Sequence, residues 1–176
     1  MVIYSAIQSN KGMSFENFID ATNRHYEIAG VAVIQKIPTP SKNVKGRIIY
    51  SAKSTVDFIG VAMGGAVAFE AKETTGAKRS DGTRRPESSF PLFSHNKPMI
   101  SEHQIRFLNK WERNGGWAFV LVHFKVRGEC YRVPVSFFKT KYAEAAKRNG
   151  PKSIPVDEFL DEWKVDKRDY LKILDE

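Results

Sequence analysis

Residues 54–74 read STVDFIGVAMGGAVAFEAKET, two apolar runs around Met63-Gly64-Gly65. The glycine pair is a hairpin turn signal, so Thr55–Val61 and Ala66–Glu73 are expected as two strands folded back on each other. Strand side chains alternate, which puts Glu70 and Lys72 on one face and Ala71 on the other. The turn can then bring Asp57 beside Glu70. Two carboxylates and a lysine would meet where the local run is otherwise apolar.

Carboxylate oxygens are hard ligands of the kind Mg2+ and Mn2+ prefer. An ion held there helps to deprotonate an attacking water and polarises a phosphoryl oxygen. Lys72 would add a fixed positive charge where a pentavalent phosphate gathers negative charge. Removing a comparable preorganised donor costs about 3 kcal/mol in barrier. Asp57, Glu70 and Lys72 are therefore candidate catalytic residues of a phosphodiesterase. Glu-x-Lys alone is not selective, because any charged strand face carries such pairs. The spacing also leaves open a buried acid–base pair satisfied internally.

Outward from this stretch, Ser14 is a good N-cap, with Phe15, Phe18, Ile19, Thr22 and Tyr26 at helical spacing after it, so residues 14–29 are expected as a helix. Residues 31–37 read as a β-branched strand ended by Pro38-Thr39-Pro40. Residues 41–54 carry Lys42, Lys45, Arg47 and Lys53 and no acid, as a basic stalk-like loop or projecting hairpin would. Residues 74–98 are polar, hold Lys78, Arg79, Arg84, Arg85 and Lys97, and read as a long basic loop. Ser101 caps a second helix with Ile105, Leu108 and Trp111 on its apolar side, ended by Gly115-Gly116. Trp117–Lys125 and Cys130–Pro134 read as a second strand pair around Arg127-Gly128. Residues 135–148, 155–164 and the tail from Lys167 read as helical. The order describes an α/β fold, a mixed β-sheet flanked by helices, in a single domain over 1–176.

The 176 residues carry a net charge of +8, which points to a polyanion: nucleic acid first, an acidic membrane surface second. The basic clusters on both sides of the acidic site suit phosphate positioning, and solvated loop charges are the bland alternative. Cys130 is the single cysteine, which excludes an internal disulfide or a cysteine-rich zinc site and fits a reducing cytoplasm. The first residues lack the apolar segment of a signal peptide, and the runs Ile59–Phe69 and Trp117–Phe124 are too short to span a bilayer. A cytoplasmic protein with no membrane partner is expected.

KGMSFE (11–16), AVIQKIPTP (32–40), STVDFIGV (54–61), FEAKET (69–74), SFPL (89–92), SEHQIRFL (101–108), Gly115-Gly116 with WAFVLVHF, and RDYLKILDE (168–176) together resemble RecU-type Holliday junction resolvases. The similarity runs in order over nearly the whole chain. It implies a restriction-endonuclease-like core acting as a homodimer, which cuts paired strands of a four-way DNA junction in recombination and repair. It also implies recombinase or branch-migration proteins as partners. Carried over by position, Thr55, Asp57, Glu70 and Gln104 would bind Mg2+, with Mn2+ as a substitute, and Lys72 would stabilise the transition state. Between Pro40 and Ser54 this chain is shorter than the family pattern, and its 74–89 segment is expanded. A sequence-specific or repair nuclease on the same core, and a non-catalytic junction-binding protein, are the alternatives. His103 is placed beside Gln104. His25, His95 and His123 read as structural or surface, Trp111, Trp117 and Trp163 as core, and Phe90 and Phe93 as packing.

Overall fold

A computed structural model of the chain describes residues 13–38, 41–44, 47–50 and 55–173, with the two short strands in 41–50 described by their backbone pairing alone. Ser14 has extended backbone, and its hydroxyl accepts the Asn17 N–H at 3.3 Å, which starts helix α1 (Phe15–Ile28). The strands follow as β1 (Ala32–Lys36), β2 (Ser41–Val44), β3 (Arg47–Tyr50), β4 (Phe58–Ala62) and β5 (Gly65–Thr74). Next come β6 (Ser89–Pro91), β7 (Phe93–Ser94), β8 (Lys97–Pro98), α2 (Glu102–Arg113), β9 (Trp117–Phe124), β10 (Glu129–Pro134) and α3 (Val135–Ala145). The last strands are β11 (Ser153–Pro155) and β12 (Lys164–Val165).

Six strands form the main sheet in the order β1-β4-β5-β9-β10-β12. All its neighbours are antiparallel except β5 and β9. A parallel pair requires a crossover, and the crossover from β5 to β9 carries α2. This is the expected α/β mixed sheet.

One face of the sheet is covered by α1 and by residues near the C-terminus. Phe58, Phe69 and Phe119 sit on three adjacent strands of that face and stack at 4.9 and 4.8 Å between ring centroids. Tyr170 is fully buried against them, and its hydroxyl bonds the Asn23 side chain of α1. The Tyr26 hydroxyl accepts the Leu171 N–H at 3.1 Å, and Arg132 donates to the carbonyls of Tyr170 and Leu171. The RDYL block is thus a structural latch on α1. The opposite face packs Val120, Val122 and Phe124 against Ile105 and Leu108 of α2 and Phe138 of α3.

Three expectations change in form. Residues 155–164 are not one continuous helix, and residues 167–173, the described part of the tail expected from Lys167, hold no helix. Ile154 pairs with Phe90, Val165 pairs with Cys130, and two single 3-10 turns lie between those strands. Backbone pairing at the two ends of 155–164, Pro155 with Ser89 and Lys164 with Tyr131, outweighs a weak local helix preference there. Residues 74–98 are not an irregular loop, since β6, β7 and β8 lie in them and Lys78 bridges to Arg84. Trp117 is 38% exposed at the start of β9, with the Arg132 guanidinium 4.6 Å from its ring centroid, rather than part of the core. Phe90 is fully buried, as expected. Strands β2 and β3 pair antiparallel within the segment expected as a stalk-like loop or hairpin, while Lys45, Lys53 and the side chains of Lys42 and Arg47 lie outside the described residues. No helix among the described residues is long and apolar enough to cross a membrane.

Candidate active site

The turn at Met63 and Gly64, with φ of 50° and 76°, closes the β4–β5 hairpin, and its register pairs Phe58 with Phe69. Continuing that register by one residue sets Asp57 opposite Glu70. The Asp57 carboxylate accepts the Ala71 N–H at 2.9 Å, so Ala71, facing the other core, pins the acid through its backbone. Lys72 bonds Glu70 directly and lies 3.9 Å from Asp57. The three side chains predicted from spacing therefore meet.

Their exposures differ in a way that assigns positions. The Glu70 side chain is 1% exposed, against 14% for Asp57 and 19% for Lys72. Glu70 is the floor, and Asp57 and Lys72 form a rim that solvent or a phosphate can reach. Burial pushes the Glu70 carboxyl up to about 8, with Lys72 opposing and Asp57 adding to the rise. Burial also raises Asp57 against the pull of Lys72. Burial alone would lower Lys72, but the Glu70 and Asp57 carboxylates outweigh it and hold the ammonium above its ordinary value. Two acids thus share one lysine, and the pair has room for a further positive charge.

The parallel β5–β9 pairing brings α2 over this face, and Gln104 donates its amide N–H to Glu70 at 2.6 Å. Its amide oxygen is already engaged, accepting from Ser101 N at 2.8 Å and Ser101 Oγ at 2.7 Å. The helix cap therefore fixes which end of the amide meets the carboxylate. Ser101 Oγ also lies 2.8 Å from His103 Nδ1, so His103 joins the same network. Thr55 is exposed, and no hydrogen bond joins it to Asp57 or Glu70 among the described residues.

Glu16, at the start of α1, is a site neighbour that reading by spacing missed. Its charge raises both Asp57 and Lys72, and it pairs with Lys36 at 2.8 Å. Its only local signal was a position off the apolar stripe of α1. Glu73, the last acid of the motif, turns to the other face and is bound by His123 and Lys125, each at 2.9 Å. Burial raises it, but those two bonds outweigh burial and hold it below the ordinary carboxylate range. His123 is accordingly a structural histidine, stacked on Phe15, and His25 and His95 are exposed.

The donor set suits a hard divalent ion. Glu70 Oε2 is buried without a hydrogen-bond partner, beside a second carboxylate. Among the described residues no group of three His, Cys, Asp or Glu side chains could hold a metal, so further ligands would be waters, as Mg2+ favours.

A mixed sheet carrying an Asp and a Glu-x-Lys on adjacent strands, with a helix-borne amide above them, has the form of a nuclease centre. Residues 10–175 match the family described as Recombination protein U, and the chain belongs to that family. It is 33% identical to the Holliday junction resolvase RecU of Bacillus pumilus (strain SAFR-032), over 95% of this chain and 81% of that protein. It is 37% identical to the Holliday junction resolvase RecU of Lactococcus lactis subsp. cremoris (strain MG1363), over 83% of this chain. Of that relative's own length the match spans 65%, just under two thirds. A solved structure of Archaeoglobus fulgidus Hjc, a Holliday junction resolvase, aligns with a TM-score of 0.43 at 15% identity, covering 81% of this chain and 89% of that one.

Proposed function

We propose that this chain is a structure-selective endonuclease that resolves four-way DNA junctions by metal-dependent phosphodiester hydrolysis. The observation that carries the reading is the buried Glu70, with one oxygen unpartnered, held against Asp57 and Lys72 on a solvent-reachable rim. Family membership supports the choice of substrate.

In this reading Asp57 and Glu70 hold Mg2+, with Mn2+ able to replace it and Thr55 as a donor from the solvent side. The bound ion supplies Lewis acidity toward a phosphoryl oxygen and an acidified water. Lys72 stays protonated and stabilises the charge that develops on the phosphate, at a fixed distance from both acids. Gln104 holds Glu70 in place through its N–H, so its role is orientation rather than ligation in this arrangement. The working form is a homodimer of a single nuclease domain spanning 1–176, acting in the cytoplasm, with recombinase or branch-migration proteins as further partners.

The test uses a labelled four-way junction and a linear duplex of the same sequence, with Mg2+ or with chelator. Paired nicks confined to the junction support the reading. Equal cutting of the duplex favours a sequence-specific or repair nuclease, and binding without cutting favours an accessory protein. Asp57→Asn should keep junction affinity and lose cleavage by at least about a hundredfold; wild-type cutting by this variant refutes the site.

A further inference from the structure

Residues 75–88 leave the sheet from the same end of β5 that follows Glu70 and Lys72, and they are built as a hairpin. Lys78 bridges to Arg84, Arg79 N donates to Thr83 O at 2.7 Å, and Arg85 N donates to Ala77 O at 3.0 Å. At the tip the Asp81 carboxylate accepts both Thr83 N (2.8 Å) and Thr83 Oγ (2.6 Å), and Gly82 has a φ of 84°. At the root, Gly76 lies so close to its opposite strand that a Cβ would stand 1.6 Å from the Arg85 carbonyl oxygen. The Arg84 guanidinium donates to the Gly76 carbonyl at 2.8 Å. Glu87, 3% exposed, then accepts the backbone N–H groups of Val126 (2.9 Å) and Arg127 (3.1 Å) in the β9–β10 turn. A buried carboxylate thereby bolts the base of the hairpin to the main sheet.

The charges on this hairpin are not neutralised. Lys78, Arg79, Arg84 and Arg85 are all exposed, and none pairs with a carboxylate among the described residues. Some basic residues elsewhere, such as Arg24, Lys36, Lys125, Arg127, Lys141 and Lys164, do have an acidic partner, so the hairpin differs in gathering four without one on a short ordered segment. Asp81, the acid at the tip, is held by Thr83 and keeps its charge, so residues 76–86 carry four positive charges against one negative. From Lys72 to Ala77 is five residues, at most about 18 Å of chain. That is a rise of about five nucleotides on one strand of DNA. The ordered hairpin backbone removes the cost of ordering the loop on a partner, though not that of fixing the side chains themselves.

We propose that the hairpin 76–86 is a prebuilt clamp on the DNA phosphate backbone, gripping the arm that runs out from the active site. This rests on the reading of the site as DNA-cleaving. Phosphate contact is blind to sequence, so the clamp acts on junction arms and plain duplex alike.

The test substitutes Lys78, Arg79, Arg84 and Arg85 together by Gln in the full chain, and Arg79→Gln and Arg85→Gln singly. Affinity for a four-way junction and for a linear duplex is measured across a salt series, and cleavage at saturating junction. Each phosphate contact contributes about 0.9 to the slope of log affinity against log salt. The quadruple variant should flatten that slope by two or more on both DNAs, and each single variant by about one. Cleavage at saturating junction should stay within about twofold. Unchanged slopes in the single variants overturn the clamp, as does a quadruple variant that binds normally but cuts slowly. A parent that neither binds nor cuts DNA would instead overturn the functional reading itself.

Discussion

Glu70→Gln isolates the energetic consequence of burying a carboxyl beside another acid. In the metal-free protein the Glu70 carboxyl is held up at about 8, whereas the exposed group titrates near 4.5. The folded state therefore keeps a proton that the unfolded state releases between those values. That contribution is fully present below about 4.5 and is lost as pH rises to about 8. One proton gives a slope of at most about 1.4 kcal/mol per pH unit, so the whole interval is worth at most about 5 kcal/mol. Glutamine fills the same space without titrating. With chelator present, urea unfolding followed by tryptophan fluorescence from pH 5 to 8.5 should show the parent steadily losing stability relative to Glu70→Gln as pH rises, within that upper bound. Adding Mg2+ at pH 8 should recover stability in the parent and leave the variant nearly unmoved, because the carboxylate pair is what offsets the ion's charge. Parallel stability curves for the two proteins in chelator would refute the account of Glu70 as a desolvated, proton-holding acid.

Two further outcomes follow from particular contacts. Ser101→Ala removes one of the two donors that hold the Gln104 amide oxygen; cutting at saturating junction should fall about fivefold, from a loss of about 1 kcal/mol in positioning, with junction affinity unchanged and rescue by Ser101→Thr. Wild-type cutting by Ser101→Ala would show that Gln104 is oriented by something else. Gly60→Ala places a Cβ 2.1 Å from the Val33 carbonyl oxygen, a backbone atom of the paired edge strand. The β1–β4 pair must then part, and the unfolding free energy should drop by about 2–4 kcal/mol; a loss under about 0.5 kcal/mol in urea titration would contradict the close approach.

What could be read directly from the chain was local. The N-cap and apolar spacing of α1, the capped start of α2, and the β4–β5 hairpin around Met63-Gly64 all depend on residues within a few positions of one another. The shared face of Glu70 and Lys72 follows from the two-residue period of a strand, and Asp57 follows from the turn that reverses it. Those relations put the three side chains within reach but could not tell a catalytic centre from a buried ion pair, because burial depends on what covers the face.

Tertiary structure supplied the cover. Only the parallel pairing of β5 with β9 sets α2 above Glu70, and only then does Gln104 meet the carboxylate through its nitrogen while Ser101 holds its oxygen. Glu16 reaches the site from a helix some forty residues earlier in the chain, with only a position off the apolar stripe of that helix to mark it. Residues 155–164 resemble helix by composition but are framed by two short strands instead, since Phe90 and Cys130 offer Ile154 and Val165 backbone partners that no nearby residue could. The hairpin 76–86 looks like a loop in sequence for the same reason: its order comes from the Lys78–Arg84 bridge and from Glu87 reaching the β9–β10 turn. Period and turn chemistry act over a few residues and are written in the chain. Which carboxylate is desolvated, which amide end faces it, and which charges are left unpaired are set by contacts between distant segments, and these exist only once the sheet has closed.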